Sequence, residues 1–177
     1  NQDILYLGGN KLHRSLNKGD DWEAISEDLT HGGKKGNVAY GTLTSISESP
    51  FKFGLLYVGS DDGLVHVSKN GGGSWINISN SFPKNLWVSR VIASSHKKER
   101  VYVTLNGYRF DDFTPYVYMS DDYGQTWKNI SSNIPASAVN VIREDFKNEN
   151  ILYLGTDNGA YVSFNKGESW EAFSKNL

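Results

Sequence analysis

The chain contains no cysteine, four prolines and one methionine in 177 residues. Without cysteine there can be no disulfide and no thiolate-held metal. No apolar run comes near the roughly 20 residues of a membrane-spanning helix, so no membrane segment is expected. An excess of one charge is missing too: 18 Lys and Arg stand against 20 Asp and Glu, a formal net charge of −2. Phosphate recognition needs a basic face, so nucleic acid is not an expected partner. Lys34-Lys35 and Lys97-Lys98 read as solvated loops. His13, His31, His66 and His96 never fall in metal-ligand spacing, and no Gly-rich phosphate loop leads a strand into a helix. No metal or cofactor is expected.

Helical periodicity is equally scarce. Instead there are short β-branched or aromatic runs of alternating polarity, bounded by Gly, Asn, Asp or Pro, which are strand signals. Between them one turn recurs four times, a serine-led stretch that ends in tryptophan. Its positions are Ser15, Asn17, Gly19 and Trp22; Ser68, Asn70, Gly72 and Trp75; Ser120, Asp122, Gly124 and Trp127; and Ser163, Asn165, Gly167 and Trp170. Asn or Asp can fold its side chain onto nearby backbone N–H groups, and Gly accepts a positive φ, so each copy predicts a tight hairpin.

The tryptophans lie 53, 52 and 43 residues apart, the period of a four-stranded β-blade and not of a helical repeat. The predicted class is all-β, a β-propeller fragment of about three and three-quarter antiparallel blades with the repeated turn between strands 3 and 4. The blades occupy approximately 1–29 (incomplete), 40–80, 87–133 and 136–177 of one domain. Fourth strands are expected over 21–26, 74–79, 126–131 and 169–174. The chain opens without methionine just ahead of a strand and stops where the preceding repeat continues, so a piece of a longer repeat protein is expected. Its remaining blades would come from missing sequence or from self-association.

An up-and-down meander sorts the loops between two faces. Strand 2 to 3 turns and blade-to-blade links share one, which opens on the central funnel where propellers bind ligands. The repeated turns and the strand 1 to 2 links share the other.

The turns resemble Asp-boxes, also called BNR repeats, of bacterial sialidases, xyloglucanases, sortilin-type receptors and a plant photosystem assembly factor. Tyr40-Gly-Thr-Leu-Thr, Leu56-Tyr-Val-Gly-Ser-Asp-Asp-Gly63, Trp87-Val-Ser-Arg90, Asp111-Asp-Phe-Thr-Pro-Tyr-Val-Tyr118 and Val141-Ile-Arg-Glu-Asp145 resemble large bacterial sortilin-like proteins often labelled glycosyl hydrolase. The resemblance implies a propeller and a secreted or cell-envelope location. It does not imply a chemistry, because Asp-boxes lie away from the active site in the enzymes that carry them. Three of the four copies here also have Asn in place of the acid.

The candidate site residues are therefore sought on the funnel face. The repeat tryptophans are assigned to packing between blades. The strand 2 to 3 loop of the third blade, 107–115, is the longest departure from the repeat. In it Arg109, Asp111 and Asp112 could bind a polar ligand, or the arginine could pair with the acids of its own loop. Arg90 stands beside Trp87, aligned with Thr44 and Asn140, as a ligand contact or an inter-blade salt bridge. Arg143 and Glu144 are expected to pair with each other, and Asp61-Asp62 and Asp157-Asn158 to make ordinary hairpin turns.

Glycoside hydrolysis needs two carboxyls flanking the scissile bond. Asp111 and Asp112, the catalytic candidates, are neighbours in one loop and not placed to flank a sugar from opposite faces, so any second carboxyl is expected from another blade. A sialidase is rejected, since its arginine cluster and Arg-Ile-Pro signature are absent. The expected function is a non-catalytic scaffold that binds a protein, peptide or glycan on the funnel face through Tyr40, Trp87, Arg90, Tyr108 and Arg109. The alternative is part of a xyloglucanase-like hydrolase with catalytic carboxyls partly outside the fragment.

Overall fold

The computed structural model describes residues 2–32 and 41–173. They form four antiparallel sheets, each a simple meander. The first holds β1 (Leu5–Gly8), β2 (Leu12–Ser15) and β3 (Glu23–Ala24). The second holds β4 (Leu43–Glu48), β5 (Leu56–Ser60), β6 (Val65–Ser68) and β7 (Ile76–Asn77). The third holds β8 (Trp87–Ala93), β9 (Val101–Gly107), β10 (Asp112–Ser120) and β11 (Lys128–Asn129), and the fourth β12 (Val139–Glu144), β13 (Leu152–Thr156), β14 (Gly159–Ser163) and β15 (Glu171–Ala172). The division into one incomplete and three complete four-stranded units is the one the turn spacing predicts. The fourth strands are shorter than predicted, two residues each. Beyond β7 and β11 the chain curls onto an Asn side chain, with Asn77 accepting from the Ser79 N–H and Asn129 from the Ser131 N–H, and that turn ends the ladder.

The core lies between sheets, not within them. Alternate residues of a strand point to opposite faces, so Leu56 and Val58 of β5 join Leu12, Ile25 and Leu29 of the first sheet. Tyr57, between them, joins Val88, Val91, Val103 and Leu105 of the third. Ile92, Tyr102 and Val117 likewise pack on Val139, Ile142, Leu152 and Leu154 of the fourth. Each fully buried Leu or Val stabilises by about 1.5–3 kcal/mol, which accounts for the unbroken burial of β5 and β6 in the middle of the array.

Of the first strands, β8 lies against both β4 and β12. Each carries a bulge at the same place, between Leu43 and Ser45, Val88 and Arg90, and Val139 and Val141. The bulged residues are Thr44, Ser89 and Asn140. Arg90 therefore aligns with Ser45 and Val141, one residue away from the Thr44 and Asn140 predicted, because register is set by pairing with the neighbouring strand and not by position along the run.

Sheet-to-sheet locks recur. The indole N–H of Trp75 donates to the Ile25 carbonyl, that of Trp127 to Ile78 and that of Trp170 to Ile130. The turn glycine beside each tryptophan lies against the same isoleucine. Gly124 has φ 86°, and a Cβ there would meet Ile78 Cδ1 at 2.4 Å, so both conformation and space require glycine. The tryptophans therefore divide by position: Trp170 is buried, Trp75 and Trp127 are partly buried, and Trp22 is 44% exposed. Packing between sheets, predicted for all four, describes the last three.

Candidate functional site

The two faces are set by hydrogen bonds. In every repeat the residue just before the turn glycine donates its N–H to a strand 1 to 2 link or its equivalent: Lys18 to Asp3, Gly71 to Gly54, Tyr123 to Glu99 and Lys166 to Asn150. At the other end the strand 2 to 3 turns bind the incoming links. Asp62 accepts from the His31 N–H at 2.7 Å and Asp61 from the Thr42 N–H at 2.9 Å, while Asp157 donates its N–H to Ala138 and Asn158 to Ser137 Oγ. Asp61 and Asp62 are buried and serve these turns.

The repeated turn needs no acid. In all four copies the serine Oγ accepts from the glycine N–H at 2.8–2.9 Å and donates to Oδ1 of the Asn or Asp. That Oδ1 accepts from the backbone N–H four residues on, at 2.9 Å in each case. Asn17, Asn70 and Asn165 present the same oxygen as Asp122. At Asp122 burial works to raise the pKa, but hydrogen bonds from Thr126, Ser120 and Gln125 outweigh it and bring it down to about 2.

On that face the buried Arg100 is fully compensated, bonded to Asp121 at 2.7 Å and Glu149 at 2.9 Å with Glu144 at 3.9 Å. Glu144 does not pair with Arg143 as predicted. It accepts from Ser94 Oγ, from the Ser95 N–H and from the Tyr102 hydroxyl, all brought in by the neighbouring sheet.

The opposite face carries the long insertion. Its residues 107–115, predicted as a loop, extend the β9–β10 hairpin into an arm. Gly107 pairs with Asp112, and a 3₁₀ turn over Tyr108–Phe110 closes the tip. Asp111 adopts the left-handed conformation at φ 55°. Asp112 folds back along its own strand, accepting from the Thr114 N–H at 3.0 Å and the Tyr116 hydroxyl at 2.8 Å. The Thr114 bond, more than any other influence, holds its carboxyl below the usual range. An engaged carboxylate with a lowered pKa is a poor general acid.

Arg109 does not turn to the acids of its own arm. Its guanidinium lies over Trp87, 4.6 Å from the ring centroid. Tyr108 and Phe113 meet edge to face at 6.1 Å, and Phe110 is 55% exposed. Arg90 is half-buried on β8, and its pKa is lowered by burial and then by repulsion from Arg143. Among the described residues none of Arg90, Arg109 and Arg143 has a carboxylate partner, and Arg90 Nε is buried without an acceptor. The structure thus brings Trp87 and Arg109 together. Tyr40 lies outside the described residues.

One polar relay escaped the sequence reading. Asn106 donates to Asn140 Oδ1 at 2.8 Å, and Asn140 donates to Asp157 at 2.7 Å, which links the third and fourth sheets beside the arm. The polar residue at every bulge, Thr44, Ser89 and Asn140, was its only sequence signal.

Solved structures with the same arrangement are β-propellers or parts of them. A GH74 enzyme from Niastella koreensis superposes with TM-score 0.72 at 21% identity, covering 97% of this chain and 28% of that one. These sheets are β-propeller blades. The propeller likeness includes a GH74 xyloglucanase from Xanthomonas campestris, with TM-score 0.74, 16% identity, 100% of this chain and 29% of that one. It also includes YCF48 bound to D1 peptide, with TM-score 0.64, 14% identity, 97% of this chain and 50% of that one. The blades described here thus span less than a third of the GH74 chains. The family model described as Sortilin, neurotensin receptor 3, matches residues 115–176, less than half of the chain. No curated protein sequence matches it. Among the described residues no helix is long and apolar enough to cross a membrane, and no group of three or more His, Cys, Asp or Glu could hold a metal ion.

Proposed function

We propose that these blades are a non-catalytic binding module of a larger sortilin-like protein, and that the ligand surface is the funnel face around the third-blade arm. The observation that carries this reading is the cation–π pair of Arg109 and Trp87 beside exposed aromatic rings. Trp, Tyr and Arg are the residue types that dominate binding energy at interfaces, and here two arginines lack internal acids. A propeller bound to a peptide stands among the structural neighbours, so the fold accommodates such a role.

The second reading is part of a glycoside hydrolase, favoured by the likeness to GH74 enzymes. It lacks a local acid pair. Asp112 is engaged within the arm, and Asp61 and Asp62 are spent on turn backbone, so catalytic carboxyls would have to come from outside these blades. That likeness is one of fold.

Hydrolysis assays on a panel of neutral and acidic glycans, run alongside binding titrations on glycan and peptide panels, separate the two. The binding reading expects saturable association without turnover. Turnover that disappears in Asp112→Asn or Asp111→Asn would sink it.

A further inference from the structure

Resting on the binding reading, we infer that the third-blade arm recognises a peptide segment in which a side-chain carboxylate lies next to an apolar residue. The carboxylate would dock on the edge of the Arg109 guanidinium, and the apolar side chain on the rings of Tyr108, Phe110 and Phe113.

The arm is a built platform. A Cβ at Gly107 would meet the Asp112 carbonyl oxygen at 2.6 Å, so the two strands of the arm close as tightly as the backbone allows. The 3₁₀ turn then fixes three consecutive residues, and the bonds of Asp112 to Thr114 and Tyr116 brace the returning strand locally. A surface held in its working shape loses little conformational freedom on binding. Its three rings are nonetheless exposed, Tyr108 by 61%, and exposed apolar clusters of this kind mark interaction sites.

The contact with Trp87 decides the polar part. A cation–π contact engages the charge of the guanidinium and none of its hydrogen-bond donors, so the fork stays available to a carboxylate, which can accept two parallel bonds. Arg109 has no such acceptor among the described residues. Asp112 is engaged by Thr114 and Tyr116, and Asp111 makes no ion pair with it. Arg90, three residues along β8 from Trp87, is also without a carboxylate and adds positive potential. The surface therefore offers an anion receptor bordered by an aromatic shelf. A neutral sugar would fill the shelf and leave the fork unanswered. A peptide carrying Glu or Asp beside Leu or Phe answers both.

The test is a fluorescence-anisotropy titration of the 177-residue chain with a labelled peptide of alternating Glu and Leu, acetylated and amidated so that only side chains carry charge. Its Gln counterpart, an oligogalacturonate and a neutral glucan oligosaccharide serve as competing ligands. The Glu peptide should bind and weaken with salt, and the Gln peptide should bind about tenfold more weakly or worse. Arg109→Lys, which keeps the charge but loses the fork, and Phe110→Ser, on an exposed ring, should each weaken the Glu peptide by a similar factor while melting like the parent chain. Equal binding of the Glu and Gln peptides, or an unaffected Arg109→Lys, overturns the proposal. Binding of a glycan but of neither peptide overturns it too, and leaves the binding module standing. No binding by any probe together with glycan turnover overturns both.

Discussion

The Tyr102 hydroxyl donates a hydrogen bond to Glu144 of the next blade, at 2.9 Å. The relation recurs between Tyr6 and Glu48 at 3.1 Å, and the registers of the first strands show why. Glu48, Ala93 and Glu144 occupy one position in β4, β8 and β12. Tyr57 belongs to the same series and would find its glutamate where Ala93 stands. Its hydroxyl is buried with no partner among the described residues.

Two tyrosines of one series should therefore respond differently to losing a hydroxyl. Tyr102→Phe is expected to destabilise by about 1–2 kcal/mol, and Tyr57→Phe to lie within about 0.5 kcal/mol of the parent or above it. Urea unfolding of the two variants checks this, and equal losses would count against the series.

The turn oxygen, not its charge, holds each repeat together. Asn165→Asp should cost no more than about 0.5 kcal/mol, since Ser169 can donate to the second oxygen as Thr126 does to Asp122. Asn165→Ala frees the Ser169 N–H and should cost about 1–2 kcal/mol. Thermal melts rank the three proteins, and Asp behaving like Ala would refute the assignment.

The tryptophan locks should be graded by position. Trp170→Phe leaves the Ile130 carbonyl unpaired and a void between blades, for a loss of about 2–3 kcal/mol. Trp22→Phe alters a residue whose indole bonds to none of the described residues, and should stay within about 0.5 kcal/mol. Denaturant midpoints measured side by side decide it.

Acid should weaken the fold through His66. Burial is the main cause of its low pKa, about 4 against an ordinary 6.5; His31 also lowers it, and Asp62 opposes them. The folded state holds the neutral ring, so the unfolded chain binds more protons in that interval. Stability from this group is fully present above pH 6.5 and is lost as pH falls from 6.5 toward 4. His66→Gln should flatten the stability profile over that window; a slope unchanged by the substitution would remove His66 as its source.

Much of the architecture was legible in a few residues. Ser, Asn or Asp, Gly and Trp at fixed offsets form a hairpin from purely local bonds, so four copies gave the blade count and the two faces. The arm was visible as an interruption of the repeat. Its form was not: Asp111 and Asp112 looked like free acids for Arg109, yet Asp112 is engaged by Thr114 and Tyr116 of its own strand. The Arg90 register was misplaced by one residue because pairing across strands, and not position within a run, sets which residues align.

The all-β class, the repeat and the hairpin turns follow from local residue order, since each depends on contacts a few residues apart. Which tryptophans are buried, which tyrosines meet a glutamate and what Arg109 packs on were settled by the assembled blades. Those outcomes join residues 22 to 50 positions apart on different strands and sheets. They depend on register and on packing between neighbours, which no residue carries in its own local sequence.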